Sequence, residues 1–203
     1  GLVTAQIDYS NGESGVVRFE SVPAFVFARN KTVNTDVYGL VTLDISYGGA
    51  FYAIVHADQF GLNVRESKTR DLVDAASIIT KAVKTQVPLQ HPENDDLAFL
   101  YGTILTDGND EFSHDPTANI CVFANDQVDR SPTGSGVTAR IALQYRCGLI
   151  GLNQTRNFES ITGAEFKAKA LNEVRYGNFP AVTVEVSGIA YYTGCSVFSL
   201  EDG

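Results

Sequence analysis

The run Asp129-Arg130-Ser131-Pro132-Thr133-Gly134-Ser135-Gly136 carries the densest chemistry in the chain. A proline, two glycines and small hydroxyl residues stand directly before an apolar segment from Val137 to Tyr145. This pattern predicts a tight turn whose free backbone N–H groups point away from a helix start. With the helix beginning just after Thr133, the N–H groups of Gly134 and Ser135 sit unpaired at the positive end of its dipole, where a carboxylate binds. Gly134 lets a ligand approach the backbone without a Cβ in the way, and Asp129 offers an acceptor for an amine. The same residues also suit an ordinary helix start, with Ser131 or Thr133 as the cap and Pro132 opening the first turn. Spacing alone favours that plainer reading.

Two helices and a set of strands must hold this run in place. Short alternating stretches rich in Val, Ile, Phe and Tyr predict strands at Leu2 to Tyr9, Val16 to Phe27, Gly39 to Val55, Leu97 to Thr106, Ile120 to Ala124 and Ala181 to Leu200. Asn11-Gly12 is a hairpin signal, since both residues tolerate positive φ. Gly48-Gly49 inside a strand pattern reads as a bulge, or as a place where another backbone or a ligand comes close, with the bulge ahead of a substrate contact. From Lys68 to Val87 the residues Leu72, Ala76, Ile79, Val83 and Val87 recur at helical spacing with charges elsewhere around the axis, which describes an amphipathic surface helix. From Val137 to Leu149 only a narrow polar edge is left, as in a helix enclosed on nearly all sides, and Gly148 is placed to end it. Many strands with one enclosed helix predict a mostly antiparallel sheet curled around that helix.

Composition narrows the partners. At 203 residues and 44% hydrophobic content the chain suits one domain, residues 1–203, burying roughly 70% of its unfolded surface. A net charge of −9 and a pI near 4.7 argue against nucleic acid and against anionic membranes. No apolar run reaches the ~18 residues of a membrane span and no signal peptide opens the chain, so the expected location is the cytoplasm. Cys121, Cys147 and Cys195 show no CxxC spacing, and His56, His91 and His114 stand far apart, so neither a metal site nor a disulfide framework is expected. No cofactor is implied. The chain begins with glycine and contains no methionine, which suggests a fragment or a processed chain.

The stretch Asn119 to Arg140 (NICVFANDQVDRSPTGSGVTAR) resembles an active-site motif of the proline racemase family, and Asp44 to Ala53 (DISYGGAFYA) is similar to another of its segments. The resemblance implies an α+β lobe of a diaminopimelate epimerase-like fold, in which two lobes face each other across the active site. It places residues 1–30 and a last strand near Ser196 to Leu200 at the junction with the second lobe. It also implies that Asp129 binds the nitrogen of a proline ring, that Gly134 and Ser135 bind its carboxylate, and that Phe123 walls the ring pocket. In the family's racemases a cysteine stands where this chain has Thr133; threonine is the pattern of the branch that dehydrates trans-3-hydroxy-L-proline. Racemisation needs an acid or base on each face of the carbon, and a hydroxyl is too weak an acid for that role. With one competent base, a substrate bearing a hydroxyl on the next carbon eliminates water instead. The family's other catalytic cysteine lies in a Met-Cys-Gly-His motif that these 203 residues do not contain. The expected partner is thus a small hydroxyproline-like substrate, and a homodimer is compatible with the sequence. The competing readings are a proline racemase or 4-hydroxyproline epimerase, and a non-catalytic ligand-binding domain of the same fold.

Overall fold

Asn11 and Gly12 adopt the φ values of 54° and 83° that a two-residue hairpin turn requires, and they join β1 (Thr4–Ser10) to β2 (Glu13–Glu20). The computed structural model describes residues 3–192 and 194–201. Leu2, the expected first residue of the opening strand, and residue 193 within the expected last one lie outside those residues. The expected strand from Val16 to Phe27 divides at Ser21-Val22-Pro23, where a proline without an N–H interrupts the ladder, and the chain resumes as β3 (Ala24–Thr35). The stretch from Gly39 to Val55 divides as well. It forms β4 (Gly39–Tyr47) and β5 (Phe51–His56), with a turn at Gly48-Gly49-Ala50 in place of the expected bulge.

A parallel partner for β5 requires a long crossover, and α1 (Thr69–Gln86) supplies it before β6 (Leu100–Thr106). The α1 residues Leu72, Ala76, Ile79 and Val83 are buried in the larger core cluster with Phe25, Ile45, Phe51 and Leu105, while its charged residues face outward. β7 (Thr117–Phe123) and the short β8 (Gln127–Val128) form a hairpin that leads to α2 (Gly134–Arg146). The chain closes with β9 (Arg156–Ser160), β10 (Glu165–Tyr176) and β11 (Phe179–Ile189).

The sheet runs β1-β2-β11-β10-β9-β7-β6-β5-β4-β3, and β11 pairs back onto β3 through Ala181 opposite Phe25 and Val182 opposite Ala24. That pairing closes an 8-stranded barrel and leaves β1 and β2 as a ribbon on the edge of β11. Among the described residues the pairings are antiparallel except β5 with β6 and β7 with β9. Val137, Ile141 and Ala142 of α2 share a cluster with residues of β3, β9, β10 and β11; Ala139 and Leu143 share another with Tyr52, Ile54, Ile104 and Cys121 of β5, β6 and β7. Ser46 of β4 donates to the Ala139 carbonyl at 2.9 Å.

Three polar residues of α2, Thr138, Arg140 and Gln144, are nevertheless buried. The Arg140 guanidinium, 1% exposed, donates to Asp110 at 2.9 Å, Thr117 at 2.8 Å and Asn119 at 3.1 Å and lies 5.0 Å over the Phe158 ring. Gln144 joins it on the same Asp110 oxygen at 2.9 Å. These contacts pair both terminal nitrogens of a buried cation, which is costly unpaired, leave its Nε without a partner among the described residues, and tie the loop after β6 to the helix. Gly148 at φ 73° ends α2 as its position predicts.

β9 and β10 lie outside the strands expected from alternation, and the last strand is shorter than expected. Residues beyond Ile189 form no strand among those described, and Tyr191, Tyr192, Val197, Phe198 and Leu200 stand exposed. No described helix is long and apolar enough to cross a membrane.

Candidate substrate-binding site at the start of helix α2

The β7–β8 hairpin turns through Ala124 and Asp126, both at positive φ, and returns the chain so that the Asp129 N–H bonds the Cys121 carbonyl at 3.1 Å. The Asp129 carboxylate then organises the turn into α2. Its Oδ1 accepts the Ser131 N–H at 2.8 Å and its Oδ2 accepts the Thr133 hydroxyl at 2.9 Å, while Ser131 Oγ accepts the Thr133 N–H at 3.1 Å. The expected helix start is met: Gly134 is the first residue of α2 and Thr133 precedes it.

Neither hydroxyl caps the helix. Thr133 spends its proton on Asp129, Ser131 bonds the Thr133 N–H, and no side-chain hydrogen bond caps the α2 N-terminus. The first-turn N–H groups thus remain open to a ligand, and the helix dipole favours an anion there. Thr133 adopts φ 70° and ψ 99°, a region that a β-branched residue enters only under constraint. Such strain costs about 1–3 kcal/mol and persists where the surroundings over-determine it, often at ligand sites.

Around this turn the barrel supplies apolar and aromatic surface. Phe123 at the end of β7 stacks on Tyr101 with centroids 5.4 Å apart and planes at 14°, and Tyr101 in turn meets Tyr52 edge-on at 5.6 Å. The Tyr52 hydroxyl lies 2.7 Å from Ser135 Oγ. Phe19 of β2 covers Gly134, where a Cβ would lie 3.4 Å from its ring. Burial pushes the Cys121 thiol up to about 12, against a smaller lowering by its hydrogen bond with Thr133, so this cysteine stays a neutral thiol.

Gly48 explains the turn between β4 and β5. A Cβ there would stand 2.2 Å from the Ser135 carbonyl oxygen and 2.5 Å from the Ala139 nitrogen, so only glycine lets this turn rest on the first turn of α2. The approaching backbone is that of the helix.

The structure therefore brings Asp129 and Thr133 into direct contact, sets Gly134 and Ser135 at the open helix start and joins Phe123 to them through Tyr101 and Tyr52. Sequence reading missed Tyr101, Tyr52 and Cys121. Tyr52 and Cys121 both lie inside the two conspicuous motifs; their roles depend on which strand face they occupy.

The sequence profile described as proline racemase matches residues 1–203. The chain belongs to the proline racemase family. A curated relative from Xenopus tropicalis, named trans-L-3-hydroxyproline dehydratase, is 63% identical over 203 residues, covering 100% of this chain and 58% of the relative. Among solved structures, one described as a probable proline racemase from Agrobacterium radiobacter K84, with bound carbonate, superposes with a TM-score of 0.92 at 27% identity, covering 99% of this chain and 58% of that one. A hydroxyproline epimerase from Agrobacterium vitis with bound trans-4-hydroxy-L-proline gives 0.89 at 25%, covering 96% and 55%. This proline racemase family chain thus spans under two thirds of the length of each.

Proposed function

We propose that the protein to which this chain belongs is a cofactor-independent dehydratase that converts trans-3-hydroxy-L-proline to pyrroline-2-carboxylate and water. The observation that carries this reading is Thr133, whose hydroxyl is committed to Asp129 beside an uncapped helix start, at the position where a racemase of the family needs a thiol. The 63% identity to a protein named as this dehydratase supports it.

In this reading the substrate carboxylate accepts hydrogen bonds from the N–H groups of Gly134 and Ser135 at the positive end of α2. The ring ammonium donates to Asp129, whose two oxygens each keep a lone pair after serving Ser131 and Thr133. Phe123 and Tyr101 face the apolar ring. A base outside these 203 residues removes the Cα proton; the electron pair forms the double bond to C3, the C3–O bond breaks, and the departing hydroxide takes a proton from the protonated base or from solvent to leave as water. The enamine so formed tautomerises to the pyrroline. Thr133 orients the substrate or its departing hydroxyl, because an alcohol is too weak an acid to reprotonate Cα from the opposite face.

An epimerase of hydroxyproline is the second reading, favoured by the fold shared with the Agrobacterium vitis enzyme and opposed by the threonine. Product analysis of the full-length protein with trans-3-hydroxy-L-proline separates the two. The dehydratase reading expects a pyrroline product, and its loss by at least a hundredfold in Asp129→Ala. A 2-epimer as the product contradicts it.

A further inference from the structure

Tyr52 of β5 has no role in the elimination itself, yet it is 1% exposed and its hydroxyl touches the site. Its ring packs with Ile54, Ile104, Cys121, Ala139 and Leu143 and lies edge-on to Tyr101. Among the described residues, Ser135 Oγ at 2.7 Å is the phenol's hydrogen-bond partner. Burial raises the Tyr52 phenol above the usual tyrosine range, so it keeps its proton, and a buried donor proton must find an acceptor.

Proton counting then sets the direction. The pair holds two hydroxyl protons, and the space between the oxygens takes one. If Ser135 donated inward, the phenol proton would be stranded in an apolar cluster. If Tyr52 donates, the Ser135 proton is free to point outward, on the half-exposed side of the turn where the first N–H groups of α2 open.

We propose that Tyr52 is a positioning residue: its buried hydroxyl donates to Ser135 Oγ and so holds the Ser135 hydroxyl as a donor to the substrate carboxylate. This rests on Ser135 being part of the carboxylate site. A phenylalanine at 52 keeps the ring and its packing and removes only the donor; Ser135 then samples inward and outward rotations, and the carboxylate loses an oriented partner.

The test is a double-mutant cycle in the full-length protein with Tyr52→Phe, Ser135→Ala and both together, read by turnover of trans-3-hydroxy-L-proline and by calorimetric binding of L-proline and L-prolinamide. Tyr52→Phe is expected to raise KM about 5- to 10-fold with kcat within about twofold, the size of one lost hydrogen bond to a charged group. It weakens proline by the same factor and prolinamide much less, because the amide carries no negative charge. The double variant is expected to bind proline no more weakly than Ser135→Ala alone, since Tyr52 acts only through Ser135. Additive losses, or proline affinity unchanged in Tyr52→Phe, overturn the proposal. A wild-type protein that does not turn over the hydroxyproline but shows the same non-additive proline binding overturns the dehydratase reading and leaves the role of Tyr52 standing. A wild-type protein that binds no proline overturns both.

Discussion

Thr133 is asked to do two things at once, and they explain each other. Its hydroxyl bonds Asp129 at 2.9 Å, and that bond keeps the side chain from capping α2, so the helix start stays open. A cysteine in its place would bring an ionisable thiol to the face of the substrate opposite the base, which is what racemisation lacks. In Thr133→Cys of the full-length protein we therefore expect measurable conversion of L-proline to D-proline, with solvent deuterium entering at Cα, and dehydration reduced by about tenfold or more. Chiral chromatography after incubation in D2O reads both; deuterium-free proline would show that Thr133 does not separate the two reactions.

At the scale of elements, α2 and the turn between β4 and β5 form one unit, because Gly48 lies against the backbone of the first helical turn. Gly48→Ala places a methyl group where the Ser135 carbonyl already is, and main chain cannot swing aside as a long side chain can. We expect a loss of about 3 kcal/mol, at the upper end of overpacking costs, and a Tm lower by roughly 6–12 °C for a domain of this size. Urea denaturation checks it; a loss under about 0.5 kcal/mol would mean that the turn yields freely. Much of this arrangement is legible in the sequence. The limits of α1 follow from apolar spacing to within a residue, whereas the apolar segment Val137 to Leu149 lies three residues along from α2 at Gly134–Arg146; the start of α2 follows instead from the Pro-Thr-Gly-Ser-Gly run. β9 and β10 escape detection because their alternation is weak in hydrophobicity: Ala168 and Ala170 alternate with Lys167 and Lys169 in β10, and the buried positions of β9 are Arg156, Phe158 and Ser160, of which only Phe158 is apolar. Small residues give a weak alternation signal. The exchange of bulge for turn at Gly48-Gly49 is illegible for another reason, since the neighbour that demands glycine lies about ninety residues along the chain.

Across the whole molecule, a polar assembly beneath α2 links helix, loop and β5: Arg140 and Gln144 bond Asp110, and His56 bonds the other oxygen of Asp110 at 3.1 Å. Burial acts to raise the Asp110 carboxyl, but hydrogen bonds from His56, Arg140 and Gln144 prevail and hold it well below the usual carboxylate range. Its contribution to stability is thus complete above about pH 4 and fades as the pH falls towards its lowered folded value. His56 is shifted the other way, raised chiefly by its hydrogen bond to Asp110. Its contribution is complete below about pH 6.5 and disappears as the pH rises through the raised value. The stability difference between wild type and His56→Ala should therefore be largest near pH 5 and shrink towards pH 9, as chemical denaturation across that range will show. A difference that grows with pH would contradict the assigned pair. Asp110→Ala should cost about 3 kcal/mol or more at neutral pH, since it strands the buried Arg140 charge.

The turn before α2 is proposed above all to bind a hydroxylated proline for a one-sided elimination. Nuclear magnetic resonance of the full-length protein, given trans-3-hydroxy-L-proline and, separately, L-proline in D2O, tests this most directly. One-sided elimination predicts pyrroline-2-carboxylate from the first and no D-proline from the second. D-proline from the second, with no pyrroline from the first, would contradict it.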